Sequence, residues 1–171
     1  VDLFAYAGGT DPTSVLPSGY VDYRMIGSIV RATSILQFTQ DGDYFRLTSP
    51  ALDINAASQT TTSASRSLVS APSGIKTRVK ANISISSAPN DWALYISSPA
   101  QTDSNPSNTA APLACAGFAA SLSAGSVSVA NTRFSHEEWT DASAQWRFDS
   151  TQTVTLYLSV LGWTHPRGKN L

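Results

Sequence analysis

Between Ile75 and Ile85 the chain alternates without a break. Ile75, Thr77, Val79, Ala81, Ile83 and Ile85 fall on one side; Lys76, Arg78, Lys80, Asn82 and Ser84 fall on the other. A period of two held over eleven residues marks a β-strand buried on one face, because successive side chains of a strand point to opposite faces. The segment from Thr153 to Trp163 repeats the pattern, with Val154, Leu156, Leu158 and Val160 opposed to Thr153, Thr155, Tyr157 and Ser159. Each such strand needs hydrogen-bonding neighbours and a second layer over its apolar face. Two of them therefore commit the chain to a layered β architecture.

The rest of the sequence agrees. Charged residues make up 13% of the chain, and Ser and Thr together supply 43 of its 171 residues. That composition suits strands and turns; helices favour Ala, Leu, Glu and Lys at a spacing no segment here shows. Ile35 to Thr39 and Tyr44 to Leu47 flank Gln40-Asp41-Gly42-Asp43, and an Asp-Gly between apolar runs is a hairpin signal. Further strands are expected at Val1 to Tyr6, Tyr20 to Val30 with a bend at Gly27, and Leu52 to Ile54 as a short edge extension. The remainder are Thr61 to Val69, Trp92 to Ile96, Gly117 to Leu122, Val127 to Phe134 and Ala144 to Phe148. The expected fold is all-β, an antiparallel two-sheet β-sandwich of jelly-roll type with about ten strands, and a closed barrel is the alternative. Residues 1–171 fit one domain, with Ser97 to Pro112, dense in turn formers, as a long exposed loop.

Several functions lack a physical basis in this composition. A net charge of −1 provides no basic field for nucleic acid, and the apolar runs are too short to span a bilayer. Cys115 is the single cysteine, which rules out an internal disulfide and reads as a small buried hydrophobe among Ala114, Ala116 and Gly117. The sequence opens Val1-Asp2-Leu3-Phe4 without a basic leader or initiator Met, so the expectation is a chain that begins inside a longer protein.

Candidate chemistry is sparse. His136 lies in Ser135-His136-Glu137-Glu138-Trp139, read as a solvated turn; on a strand, His136 and Glu137 would diverge rather than converge on a metal. His165 falls in a polar tail, expected to dock on a neighbour. Asp41-Gly42-Asp43 lacks the further ligands of a calcium loop and reads as a turn. There is no G-x-S-x-G elbow, and a carboxylate pair for glycoside hydrolysis is disfavoured among 12 acidic residues mostly beside turns. No catalytic residue, cofactor or metal is expected, and the chain is read as a non-enzyme. The aromatic residues say more. Trp146 and Trp163 are expected in the core, whereas Trp92 and Trp139 near loop ends suit stacking on sugar rings. Trp92, Tyr95, Asp103, Asn105 and Trp139 form the candidate glycan or partner contact set.

Three groups of motifs carry a resemblance. They are Leu16-Pro17-Ser18-Gly19-Tyr20 with Tyr23-Arg24-Met25-Ile26-Gly27-Ser28-Ile29, then Gln37-Phe38-Thr39-Gln40-Asp41-Gly42-Asp43-Tyr44-Phe45, then Trp139-Thr140-Asp141-Ala142-Ser143-Ala144-Gln145 with the closing Leu161-Gly162-Trp163-Thr164-His165-Pro166-Arg167-Gly168. In this order they resemble the C-terminal domain of phage tail-fibre and virion structural proteins, with their LPxGYxxYRRIGS and FTQxGDxF stretches. Met25 stands where the group has a second Arg, and His165-Pro166 where it has Asp and Arg. The resemblance implies a virion location on the tail or capsid surface, other virion proteins as partners, and Leu171 as the natural C-terminus. With the missing start and the low charge, it leads to the expectation of a homotrimer, for which Val1 to Tyr6 and Thr164 to Leu171 are the candidate contacts; the expected role is a fibre or appendage end that uses its loops to touch a host-surface glycan or another virion protein. The rival readings are a carbohydrate-binding module of a larger secreted enzyme and, behind it, a polysaccharide depolymerase domain.

Overall fold

The structure, a computed structural model, describes residues 13–20, 22, 26–31, 34–86, 92–107, 115–119 and 131–165, with the backbone alone at 15, 115–119 and 131. Among the described residues nine strands follow a single 3-10 turn at Thr13–Val15. They are β1 (Phe38–Asp41), β2 (Tyr44–Gln59), β3 (Ala64–Ser67), β4 (Arg78–Ser86), β5 (Trp92–Ser97), β6 (Cys115–Ala119), β7 (Asn131–Trp139), β8 (Gln145–Ser150) and β9 (Val154–Thr164). They form a five-stranded sheet in the order β1-β2-β9-β4-β7 and a four-stranded sheet in the order β3-β8-β5-β6, antiparallel throughout. Strand 2 pairs with 9, 3 with 8, 4 with 7 and 5 with 6, as if one long hairpin had been rolled up.

The alternating segments are buried in the phase their sequence dictates. Val79, Ala81, Ile83 and Ile85 on β4 and Val154, Leu156, Leu158 and Val160 on β9 turn inward. They meet Leu94 and Ile96 of β5 and Trp146 and Phe148 of β8 in one core cluster that draws on both sheets, so the all-β fold is sandwich-like. Trp146 and Trp163 are fully buried, as expected. The Asp-Gly hairpin forms between β1 and β2, with Gly42 at φ 58°. One polar side chain ties the sheets together. Gln59, fully buried at the end of β2, donates through Nε2 to the carbonyls of Thr60, Thr62 and Phe148, and its Oε1 accepts from Arg66 of β3.

The structure differs from expectation in five places. Nine strands are present among the described residues, not ten. The described residues of Tyr20 to Val30 form no strand; here Gly27 packs against the tip of the Phe45 ring, where a Cβ would sit 2.8 Å from its Cζ. Leu52 to Ile54 is not a short strand of its own but part of the long β2; β1 pairs with β2 only at 44–47, so this stretch is an edge paired with β9 alone, as expected, and β2 bulges between Arg46 and Ala51, where Pro50 needs no ladder bond. His136 and its neighbours are strand, not turn. Finally, His165 is buried and donates its N–H to the Asp43 carbonyl at 2.9 Å, so this part of the tail docks on its own chain. The segments Val1 to Tyr6 and 166–171 lie outside the described residues, as does the Cys115 side chain.

Gly162 marks the tightest point of the five-stranded sheet. It faces Arg46 on β2 and Lys80 on β4, and a Cβ there would collide with the Phe45 carbonyl oxygen and stand 3.0 Å from the Arg46 Cα. Backbone cannot yield as a flexible side chain does. Gly162→Ala is expected to cost about 1–3 kcal/mol in urea unfolding; a loss under about half a kcal/mol would mean that β2 shifts aside freely.

Candidate binding face

The outer surface of the five-stranded sheet is built from the polar halves of the alternating strands. Cross-strand register places Trp139, Arg78 and Thr164 in one row, then Glu137, Lys80 and Gly162 in the next. Ser135, Asn82 and Ser159 form a third row, and Arg133, Ser84 and Tyr157 a fourth. Strands lie about 4.8 Å apart and same-face residues about 6.8 Å apart, so Trp139 and Arg133 sit about 20 Å from each other along β7. The central strand β4 presents short side chains at Asn82 and Ser84, while its neighbours present the long Arg133 and Tyr157. Short residues between long ones leave a trough. The cleft there has a volume of about 370 Å³ and is lined by Asn82, Ile83, Ser84, Arg133, Phe134, Tyr157 and Ser159.

The chemistry of this face is mixed. Tyr157 offers a ring wall, Asn82 an amide, and Ser84 and Ser159 hydroxyls. Arg78 and Glu137 form an exposed ion pair at 3.6 Å, of small energetic worth. Tyr44, on β2 beside Gly162, has its hydroxyl pKa raised by burial, against the lowering influence of Arg46 and with a further push from Glu137.

The candidates from the sequence divide between two places. Trp139 belongs to the outer face, 38% exposed at the end of β7 beside Arg78. Trp92 and Tyr95 lie on β5, whose six residues are all buried; at 1% and 5% exposure their ring faces are turned away from solvent. Asp103 and Asn105 are exposed on the loop that follows β5. The structure thus brings Tyr95, Asp103 and Asn105 to one region, and Trp139 elsewhere.

That loop is anchored rather than free. Arg147 of β8 donates from Nη1 to the Gln101 carbonyl at 3.0 Å and from Nη2 to the Thr102 carbonyl at 3.1 Å, and its Nε meets Asp103 Oδ1 at 3.1 Å. The Tyr95 hydroxyl accepts from the Ser107 N–H. Asp149 is buried opposite Tyr95 in the β5–β8 register, and its carboxyl and that of Asp103 influence each other's protonation. Burial pushes the Asp149 pKa up to about 6; the Ser63 hydrogen bond opposes this and Asp103 adds to it. For Asp103, burial raises the pKa, but hydrogen bonds from Asp149 and Ser63 and the Arg147 charge outweigh it, and the net shift is downward. This cluster works as a clamp on the loop.

The residues of the outer face that the sequence reading missed are Asn82, Ser84, Arg133, Tyr157 and Ser159. Alternation marked Asn82, Ser84, Tyr157 and Ser159 as outward-facing, but only the strand order β9-β4-β7 makes them neighbours of Arg133. Compared with protein-family models, with curated proteins and with solved structures, the chain finds no match.

Proposed function

We propose that this chain is a structural domain of a bacteriophage virion, from a tail fibre or surface appendage, that touches host-surface glycan through the outer face of its five-stranded sheet. The observation that carries the binding part is the cleft over Asn82 and Ser84, walled by Tyr157 and Arg133. Sugar recognition needs an open trough, an aromatic wall to stack a ring, and a few amide and hydroxyl groups. The virion part rests on the sequence motifs and on the strand order. Sheets ordered β2-β9-β4-β7 and β3-β8-β5-β6, with β1 added at one edge, support a jelly-roll reading, an architecture of viral capsid and lectin domains. That support is by analogy of fold.

The same cleft would serve a carbohydrate-binding module of a secreted enzyme, and assembly separates the two readings. Ile26, Ile29 and Ile35 are each about half exposed, close together in the segment before β1. Three exposed isoleucines favour burial against another copy. We expect a homotrimer in light scattering, and a monomer for the Ile29→Asp/Ile35→Asp variant, whose substitutions fall on exposed positions. A wild-type monomer at tens of micromolar would contradict the fibre reading. Glycan-array binding that Tyr157→Ala abolishes is the expected result for the cleft; binding indifferent to Tyr157 would remove it.

A further inference from the structure

The face described above is not neutral. On strands β9, β4 and β7, the register rows carry Arg78, Lys80 and Arg133 against a single carboxylate, Glu137. Glu137 is already engaged by Arg78. Among the described residues, Lys80 and Arg133 have no ion-pair partner, and both are exposed. The chain as a whole is at −1, so this face concentrates the sign opposite to that of the molecule. Arg133 also stands at the wall of the cleft, opposite Tyr157 and over the hydroxyl of Ser84.

Resting on the glycan reading above, we propose that the cleft selects an acidic glycan, a chain of sugars carrying carboxylates, with Arg133 as the group that reads the charge. A guanidinium is a planar fork that fits a carboxylate with two parallel hydrogen bonds, and such charge-assisted bonds are stronger and more directional than neutral ones. Tyr157 supplies the apolar wall for a ring face, and Asn82 and Ser159 lie within the same trough to meet ring hydroxyls. Lys80, two rows from Arg133 along the sheet, stands about 14 Å away, where it meets a later sugar of the same chain as a second cation. The cleft is open, so Arg133 keeps part of its hydration when empty and no buried charge has to be offset.

Titration calorimetry on the folded domain tests this with matched pairs of oligosaccharides: hexamers of uronic acids and the neutral hexamers of the same sugars and linkages. The acidic member of at least one pair is expected to bind about tenfold or more tightly than its neutral partner, and Arg133→Gln to erase that difference. Tyr157→Ala is expected to weaken both members alike. Thermal melts of both variants check that they fold, since both positions face outward. Equal binding of acidic and neutral members, indifferent to Arg133→Gln but lost in Tyr157→Ala, would overturn the acidic class and leave the glycan reading standing. No binding to any pair would overturn both. Duplex DNA binding as tightly as the uronate, with the same dependence on Arg133, would overturn the proposal in favour of a general polyanion surface.

Discussion

Trp163→Ala is expected to lower the unfolding free energy by about 3–5 kcal/mol, a large part of the 5–15 kcal/mol a domain typically has. The Trp163 indole is fully buried on β9, stacked on Phe45 at 5.7 Å with the rings 2° from parallel, and met edge-on by Phe38 at 6.0 Å. Removing it empties a cavity at the end of the core that three strands surround. A second consequence follows from its Nε1–H, which donates to Ser28 Oγ at 2.9 Å. Ser28 belongs to a segment without ladder bonds of its own to either sheet, held by this bond, by Gly27 on the Phe45 ring and by the buried Val30. Amide hydrogen exchange in residues 26–31 should therefore rise more than in β4. Denaturant unfolding gives the first effect and exchange the second; a loss under about 1 kcal/mol would show that the ring cluster does not carry this end of the core.

The second large effect is a pH dependence set by His136. This residue turns inward on β7 against Trp146, with ring centroids 5.4 Å apart, and its Nε2 is buried without a hydrogen-bond partner. Burial, with a smaller push from Arg78, lowers its pKa to about 4. In the unfolded chain it titrates near 6.5. Between these values the unfolded state binds a proton that the folded state refuses. The stability His136 permits is therefore complete above pH 6.5 and lost as the pH falls towards 4, by about 3 kcal/mol in all. Asp149 works in the opposite sense. Its pKa is raised to about 6, so it takes up its proton in the folded state first and gains stability as the pH falls from 6 towards 3.8. The two partly cancel in the wild type, and single variants separate them. His136→Phe, which keeps a ring against Trp146, should be more resistant than the wild type at about pH 4.5 relative to pH 7. Asp149→Asn should be less resistant by the same comparison. Parallel pH profiles for wild type and His136→Phe would contradict the burial argument.

How much of this was visible in the sequence depends on how many faces of a strand are buried. On β4 and β9 one face is apolar and one polar, so alternation gave both the strands and the phase, down to Tyr157 and Lys80 facing out. On β5 all six residues are buried. A strand covered on both sides does not alternate, and without a period Trp92 and Tyr95 read as surface aromatics. The error at Ser135-His136-Glu137-Glu138-Trp139 had a different source. A cluster of ionisable residues looks solvated, yet register against β4 turns His136 inward opposite Ala81 and Glu137 outward opposite Lys80. In Tyr20 to Val30 a loose alternation suggested a strand, but its described residues pair with neither sheet, and Gly27 packs against Phe45 instead.

Sheet order was out of reach for a stronger reason. Tyr44 pairs with Thr164 and Ala81 with both His136 and Val160, contacts that no local pattern specifies. The cleft is a product of that order. Its floor comes from β4, one wall from β7 and the other from β9, so none of these segments alone contains the site.

The proposed binding surface is the outer face of the five-stranded sheet, not the loop after β5. Backbone amide shifts recorded while a bound oligosaccharide is titrated into the domain test it most directly. The shifts are expected to concentrate at Asn82, Ser84, Arg133, Tyr157 and Ser159 and to extend along β7 towards Trp139. Shifts confined to 98–107 and the residues around Asp103 and Arg147, with β4 and β9 silent, would contradict it.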